Sequence, residues 1–229
     1  MSNNTIAQSE LIKVILTRFL TLIFLLLMMF FVPAGTIAYW EAWLFLAVLL
    51  IPVILTLNYM LKNDPKLLER RMRKREKEAA HKLIVKIASF YFLLIFLLPG
   101  FDKRFEWSNV PVAAVIVADI FVLLGYGLVF LVFRANTYAS RIIEVEQEQK
   151  VISSGPYAVV RHPMYVGVSL MYIFTPLALG SYWAMIPSLL IIPLLVARIR
   201  NEESVLEREL KGYWEYMQKT KYRLIPGVW

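Results

Sequence analysis

Cysteine is absent from the 229 residues, which removes disulfides, thiolate nucleophiles and cysteine-held metals from consideration. Histidine is nearly absent too: His81 and His162 alone are too few for a histidine-based centre, and no metal site is expected. Charge is sparse. Asp, Glu, Lys and Arg make up 18% of the chain against 59% hydrophobic residues, with a mean hydropathy of +0.60, a balance too apolar for a soluble domain of this length. No internal repeat or low-complexity linker divides the chain. After several apolar spans of ~20 residues little is left for a separate soluble domain.

What remains reads as an all-α, polytopic integral membrane bundle. About five to six transmembrane helices are expected, with a C-terminal helical hairpin and a cytosolic C-terminal helix. Residues 1 to 10 are polar and expected to fray. Leu11 to Val32 forms a first span, with a cleaved signal peptide as the alternative, though no A-x-A site follows. Pro33-Ala34-Gly35 turns the chain. Trp40 and Trp43 sit at the entry of a second span reaching about Leu61, as an aromatic belt would. A third span, Leu83 to Leu98, is expected to end at Pro99-Gly100. A loop then carries Asp102, Lys103, Arg104, Glu106 and Trp107, and Val112 to Phe133 forms a fourth span. Met164 to Leu179 and Tyr182 to Val196 make a hairpin about Gly180-Ser181 whose short arms dip into or cross a thinned bilayer.

Charge orients these spans. The first connecting loop holds no Lys or Arg, whereas residues 62 to 82 carry Lys62, Lys66, Arg70, Arg71, Arg73, Lys74, Arg75, Lys77 and Lys82 against Asp64, Glu69, Glu76 and Glu78. The positive-inside rule makes that loop cytoplasmic, with both termini on the same side. The loop reads as a topogenic cluster or as a surface helix with Leu67, Leu68 and Met72 as its apolar edge. A net charge of +8 is explained by topology and anionic membrane lipids, and no nucleic-acid partner is expected.

The stretch that concentrates chemistry is Ser154-Gly155-Pro156-Tyr157-Ala158-Val159-Val160-Arg161-His162-Pro163-Met164-Tyr165-Val166-Gly167. Gly155-Pro156 signals a turn. Pro163 suits a first helical position, which leaves Arg161 and His162 just outside that helix. The run resembles the RHPxYxG signature of the isoprenylcysteine carboxyl methyltransferase and phospholipid methyltransferase superfamily. Asn201-Glu202-Glu203, Gly212-Tyr213-Trp214-Glu215-Tyr216 and Tyr222-Arg223-Leu224-Ile225-Pro226-Gly227 follow in that family's order. Gly125-Tyr126-Gly127 looks like the GxG of its phospholipid branch. The resemblance covers roughly residues 111 to 229, a methyltransferase core after N-terminal helices in 1 to 110, and the two are expected to form one structural unit.

The resemblance implies S-adenosylmethionine as cofactor, with Lys150, Val151, Ile152, Tyr157, His162, Pro163 and Tyr165 lining its site, and Gly125 and Gly127 associated with it. The residue types suit that ligand. Glu202 and Glu203 can take an ammonium or ribose hydroxyls, Tyr157 and Tyr165 offer ring faces to adenine or sulfonium, and Arg161 or His162 can meet a carboxylate. Arg223, with Arg198 or Arg200, is expected to orient a lipid-like or isoprenylated acceptor. A carboxylate acceptor needs only positioning, whereas an amine needs a base, for which an interfacial carboxylate or His162 is the candidate.

Simpler roles exist for each piece. Gly125 and Gly127 can serve helix packing, Arg161-His162-Pro163 a charged helix start, and Tyr213, Trp214 and Tyr216 an interfacial belt. Two other functions compete: a sterol-reductase-like NADPH enzyme, and a small transporter or scaffold for which Asp119 is the acidic mid-span candidate.

Overall fold

The computed structural model describes residues 8–72, 79–139 and 145–229, without the side chains of 8, 9, 11, 72, 79–85 and 88. Of the first ten residues, expected to fray, 1–7 lie outside the described residues and Gln8 to Glu10 are already helical; much of the basic cluster, Arg73 to Glu78, and the side chain of His81 also lie outside. The described chain forms eight α-helices and no strand: α1 Gln8–Ala34, α2 Trp40–Asn63, α3 Pro65–Met72, α4 Ala79–Phe105, α5 Val112–Ala135, α6 Pro163–Ala178, α7 Met185–Glu209 and α8 Tyr213–Lys219. Ile12–Ala34, Trp40–Asn63 and Val112–Ala135 are long and apolar enough to cross a membrane, and α6 is a shorter apolar helix. The expected helical membrane bundle is the architecture found.

The six long helices alternate in direction, so the bundle has two polar ends. The first collects the α2–α3 corner, the C-terminus of α5, the start of α6 and the polar half of α7. At the second, the α1–α2 turn meets the C-terminus of α4 and the α6–α7 turn. Helix α6 joins them, and its 16 residues span about 24 Å at 1.5 Å per residue, short of the ~30 Å hydrocarbon core.

Between the ends the core is aromatic. Phe30, Phe45 and Phe96 from α1, α2 and α4 meet with ring centroids 5.7 to 6.1 Å apart. Helices α5 and α6 come into backbone contact at a glycine pair: a Cβ on Gly125 would stand 2.6 Å from the Gly167 carbonyl, and one on Gly167 2.5 Å from the Gly125 carbonyl. Small residues admit such backbone contact where lipid offers no hydrophobic drive between helices.

Three boundaries differ from expectation. Pro99-Gly100 does not end the third span, because α4 runs through to Phe105. A proline inside a bilayer helix is tolerated when neighbours supply packing and partners. Gly100 is needed for that packing, since a Cβ there would lie 2.7 Å from the Phe30 carbonyl. The second hairpin arm continues past Val196 to Glu209 as a single helix, apolar first and charged afterwards. The start of the basic loop is α3, whose Leu67 and Leu68 are fully buried with Met60, Val132 and Phe133. That edge turns inward onto α2 and α5 rather than outward to headgroups.

The α6–α7 turn closes as a helix-capping motif in which Gly180 takes φ +72. Its N–H bonds the Leu177 carbonyl at 3.0 Å, and the Ser181 N–H bonds the Pro176 carbonyl at 2.9 Å. Glycine meets the left-handed requirement at no steric cost.

Candidate active site

The Ser154–Gly167 run folds as its sequence suggests. Gly155 adopts φ +60 to open a short 3-10 turn over Gly155–Ala158, and Pro163 is the first residue of α6 with His162 at the N-cap. Arg161 and His162 are buried all the same. The C-terminal tail covers them: their backbone N–H groups donate to the Tyr222 and Arg223 carbonyls at 2.9 and 3.0 Å. In turn the Trp229 carbonyl accepts from the N–H groups of Arg223, Leu224 and Ile225 at 2.9 to 3.0 Å. The Arg223 guanidinium lies 5.3 Å over the Trp229 ring.

Glu203 holds this assembly together. It is 5% exposed, and its Oε1 accepts from Arg161 Nε at 2.7 Å and meets His162 Nε2 at 3.1 Å. Its Oε2 accepts from Arg223 Nε at 2.6 Å. Arg161 also donates to the Thr220 and Lys221 carbonyls at 3.2 and 3.0 Å. Burial alone would raise the Glu203 pKa, but hydrogen bonds from His162, Arg223 and Arg161 outweigh it and bring the carboxyl down to about 2.

Beside this network opens a cavity of about 230 Å³. One wall is the charged half of α7 with the start of α6, where Tyr165 donates its hydroxyl to Glu202 Oε2 at 2.7 Å and accepts from Arg198 Nε at 2.8 Å. Arg198 faces the cavity, whereas Arg200 is exposed on the outside of the helix. A second wall is the backbone run Gln149, Lys150, Val151 and Ile152, with Tyr157 beside it. Tyr157 is fixed rather than free: Asn136 donates to its hydroxyl at 2.8 Å and Tyr216 to its carbonyl at 2.8 Å. A third wall comes from α8, where Tyr213 and Tyr216 are buried against Leu206 and Val151 while Trp214 points outward. Burial raises the Tyr216 phenol to about 12, against the Thr220 hydrogen bond and the Arg161 charge, which pull it down. The Tyr213 phenol is raised further, by burial first and then by the charges of Glu203 and Glu202.

The last wall was not legible in the sequence. Arg71 of α3 lines the cavity with Asn136, Tyr138 and Ala139, its guanidinium 4.9 Å over the Phe133 ring. Its neighbour Arg70 ties that wall down, donating to Glu146 Oε1 and Oε2 at 2.8 and 2.6 Å and to the Thr137 carbonyl at 2.8 Å. It also sits 5.0 Å over the Tyr138 ring. In the sequence these arginines were two of nine basic residues in one loop, and the adjacent Leu67-Leu68, read as an edge for headgroups, was the one signal of an inward fold.

The structure thus brings together Lys150, Val151, Ile152, Tyr157, Arg161, His162, Pro163, Tyr165, Arg198 and Glu202 as cavity lining. Glu203 and Arg223 stand immediately behind them in the ion-pair network. Gly125 and Gly127 are not among the lining residues: Gly125 packs on Gly167, and a Cβ on Gly127 would meet nothing within 4 Å. Among the described residues no group of three or more His, Cys, Asp or Glu side chains is placed to hold a metal.

Fold and site together define a helical membrane protein with a charged, partly enclosed cavity at one end of its bundle. Residues 113–211 match the family model described as phospholipid methyltransferase, a stretch that runs from α5 to just beyond α7 and includes most of the cavity wall. The match agrees with the resemblance read from the sequence, and with the apolar helices it supports a membrane methyltransferase that acts on a lipid-like substrate. No curated protein matches the chain. Arg71, Tyr213, Tyr216 and Arg223 lie outside the matched residues.

Proposed function

We propose that the chain transfers a methyl group from S-adenosylmethionine to the polar head of an amphiphile, with both termini and the cavity on the cytosolic side. The observation that carries this reading is one cavity, at a polar end of an apolar bundle, lined by a carboxylate, cations, tyrosine hydroxyls and backbone together. That donor and acceptor set suits a zwitterion carrying a sugar and a sulfonium. An orphaned polar atom in the wall, the Tyr213 hydroxyl, fits a site completed by a ligand.

The cofactor supplies an activated methyl group on sulfur, and the chain's part is to bind, orient and exclude water. Glu202 offers a carboxylate to an ammonium or hydroxyl, and the ring faces of Tyr165 and Tyr157 suit adenine or sulfonium. Lys150 to Ile152 present backbone polar groups. Arg198, held through the Tyr165 hydroxyl, would orient an acceptor beside that same wall, with His162 in the lining and Arg223 behind it. For a carboxylate acceptor the arginine suffices. For an amine, His162 is the base, its ring fixed by Glu203.

The test is transfer itself. Purified protein in vesicles of mixed phospholipids, supplied with methyl-labelled S-adenosylmethionine, should place label in the organic extract. Mass analysis of the labelled lipid would separate amine from carboxylate acceptors, and label confined to the aqueous phase would refute the lipid-like acceptor.

A further inference from the structure

Buried polar atoms are nearly always partnered in folded proteins, because an unpartnered one forfeits its hydrogen bond to water without replacement. Among the described residues four buried side-chain atoms lack a partner: both carboxylate oxygens of Asp119, Asn201 Nδ2 and Tyr213 Oη. Only Tyr213 belongs to the cavity wall. Asp119 lies among Val115, Ala118 and Val122 in the interior of α5, and Asn201 precedes Glu202 outside the lining.

Tyr213 is 4% exposed and anchored by its surroundings. Gly212, in the left-handed region at φ +86, breaks the chain between α7 and α8 and starts α8 at Tyr213. Leu210, Tyr216 and Val151 pack around the ring. A phenylalanine would satisfy that packing, so the hydroxyl is surplus to the fold. With its phenol kept protonated by burial and by Glu203 and Glu202, it is a standing hydrogen-bond donor beside two carboxylates.

We infer that Tyr213 is a ligand-binding residue of the cavity, and that its hydroxyl, with the carboxylate of Glu202, recognises a hydroxyl-bearing sugar. The pairing follows from charge and valence. An anionic ligand group next to Glu202 is disfavoured, and a cation has no lone pair to offer the tyrosine. A vicinal diol accepts from Tyr213 and donates to Glu202, whose other contact on that wall is already the Tyr165 hydroxyl at 2.7 Å. This inference rests on the proposed cofactor, whose ribose would be the sugar, and it adds a residue beyond the family-matched stretch.

The experiment compares wild type with Tyr213→Phe in detergent, measuring melting temperature and the calorimetric affinity for two probes. These are S-adenosylhomocysteine and its analogue lacking the ribose 2′- and 3′-hydroxyls. The variant should melt at the same temperature or higher, bind S-adenosylhomocysteine about tenfold more weakly, and bind the dideoxy analogue as wild type does. Unchanged affinity for S-adenosylhomocysteine would overturn the inference, leaving a hydroxyl that merely lacks a partner. Equal losses for both probes would overturn it as well, placing the contact elsewhere on the ligand. If wild type binds neither probe, the cofactor reading itself fails and takes this one with it.

Discussion

Each end of the bundle buries an acid, and the two acids are used differently. At the α6–α7 turn Asp102 is 1% exposed, with Oδ1 accepting from the Ser108 N–H at 2.7 Å and Oδ2 from the Ser108 and Ser181 hydroxyls. Tyr39 donates its hydroxyl to the Leu179 carbonyl, and Lys103 grips both oxygens of Glu41 at 3.1 and 3.2 Å. Donors and acceptors match there, and the end is a staple joining α2, α4 and the hairpin. At the other end Glu203 is equally well partnered, but two of its partners, Arg161 and His162, line a cavity together with Glu202 and Arg198, and the buried Tyr213 hydroxyl in its wall has no partner. Satisfied polar groups fix a fold, while groups held ready and incompletely satisfied mark where a ligand completes them.

Substitutions at the two ends should therefore separate stability from binding. Glu203→Gln should have the largest effect, because it strands the buried Arg161 cation: a loss of about 3 kcal/mol in stability and more than about tenfold in S-adenosylhomocysteine affinity, equivalent to roughly 1.4 kcal/mol, read by thermal melting and calorimetry. Asp102→Ala should cost about 2 kcal/mol by orphaning the two serine hydroxyls, yet leave ligand affinity within about twofold. A binding loss at Asp102 as large as at Glu203 would erase the distinction.

Gly125→Ala forces α5 and α6 apart and should destabilise by about 1 to 3 kcal/mol, whereas Gly127→Ala, with open space at its Cβ, should be nearly neutral in melting temperature. If Gly127→Ala abolished ligand binding, the glycine pair would return to the site. Arg70→Ala should cost about 1 kcal/mol and show mainly as weaker ligand binding through the wall of Asn136, Tyr138 and Ala139. Combining Arg70→Glu with Glu146→Arg should recover part of it.

The Glu203 network also responds to pH. Glu203 has a folded pKa of about 2 against an ordinary 4.5, so its network contributes in full above about pH 4.5 and is lost as the pH falls towards 2. Wild-type melting temperature should fall more steeply across that window than that of Glu203→Gln.

How much of this could be read from the chain depended on periodicity and punctuation. The spans ending at Ala34 and Ala135 and the turn at Gly180-Ser181 follow from apolar runs bounded by Gly, Pro or charge, and these were legible. Pro99-Gly100 misled because local helix breaking was overridden by packing on Phe30 and Pro33, a contact between residues nearly seventy apart. For the same reason the motif pointed to Arg161 and Glu203 as candidate site residues but not to their binding each other. Long-range pairs such as Arg70 with Glu146 leave no local pattern, and the orphaned Tyr213 hydroxyl exists only once its neighbours are in place.

The most direct test of the central claim is calorimetric binding of S-adenosylhomocysteine to wild type, Glu202→Gln and Asp102→Ala in detergent, with NADPH as the comparison ligand. Binding by wild type and Asp102→Ala, weakened in Glu202→Gln, with none for NADPH, is the predicted result. Binding of NADPH instead, or affinity for S-adenosylhomocysteine indifferent to Glu202, would contradict it.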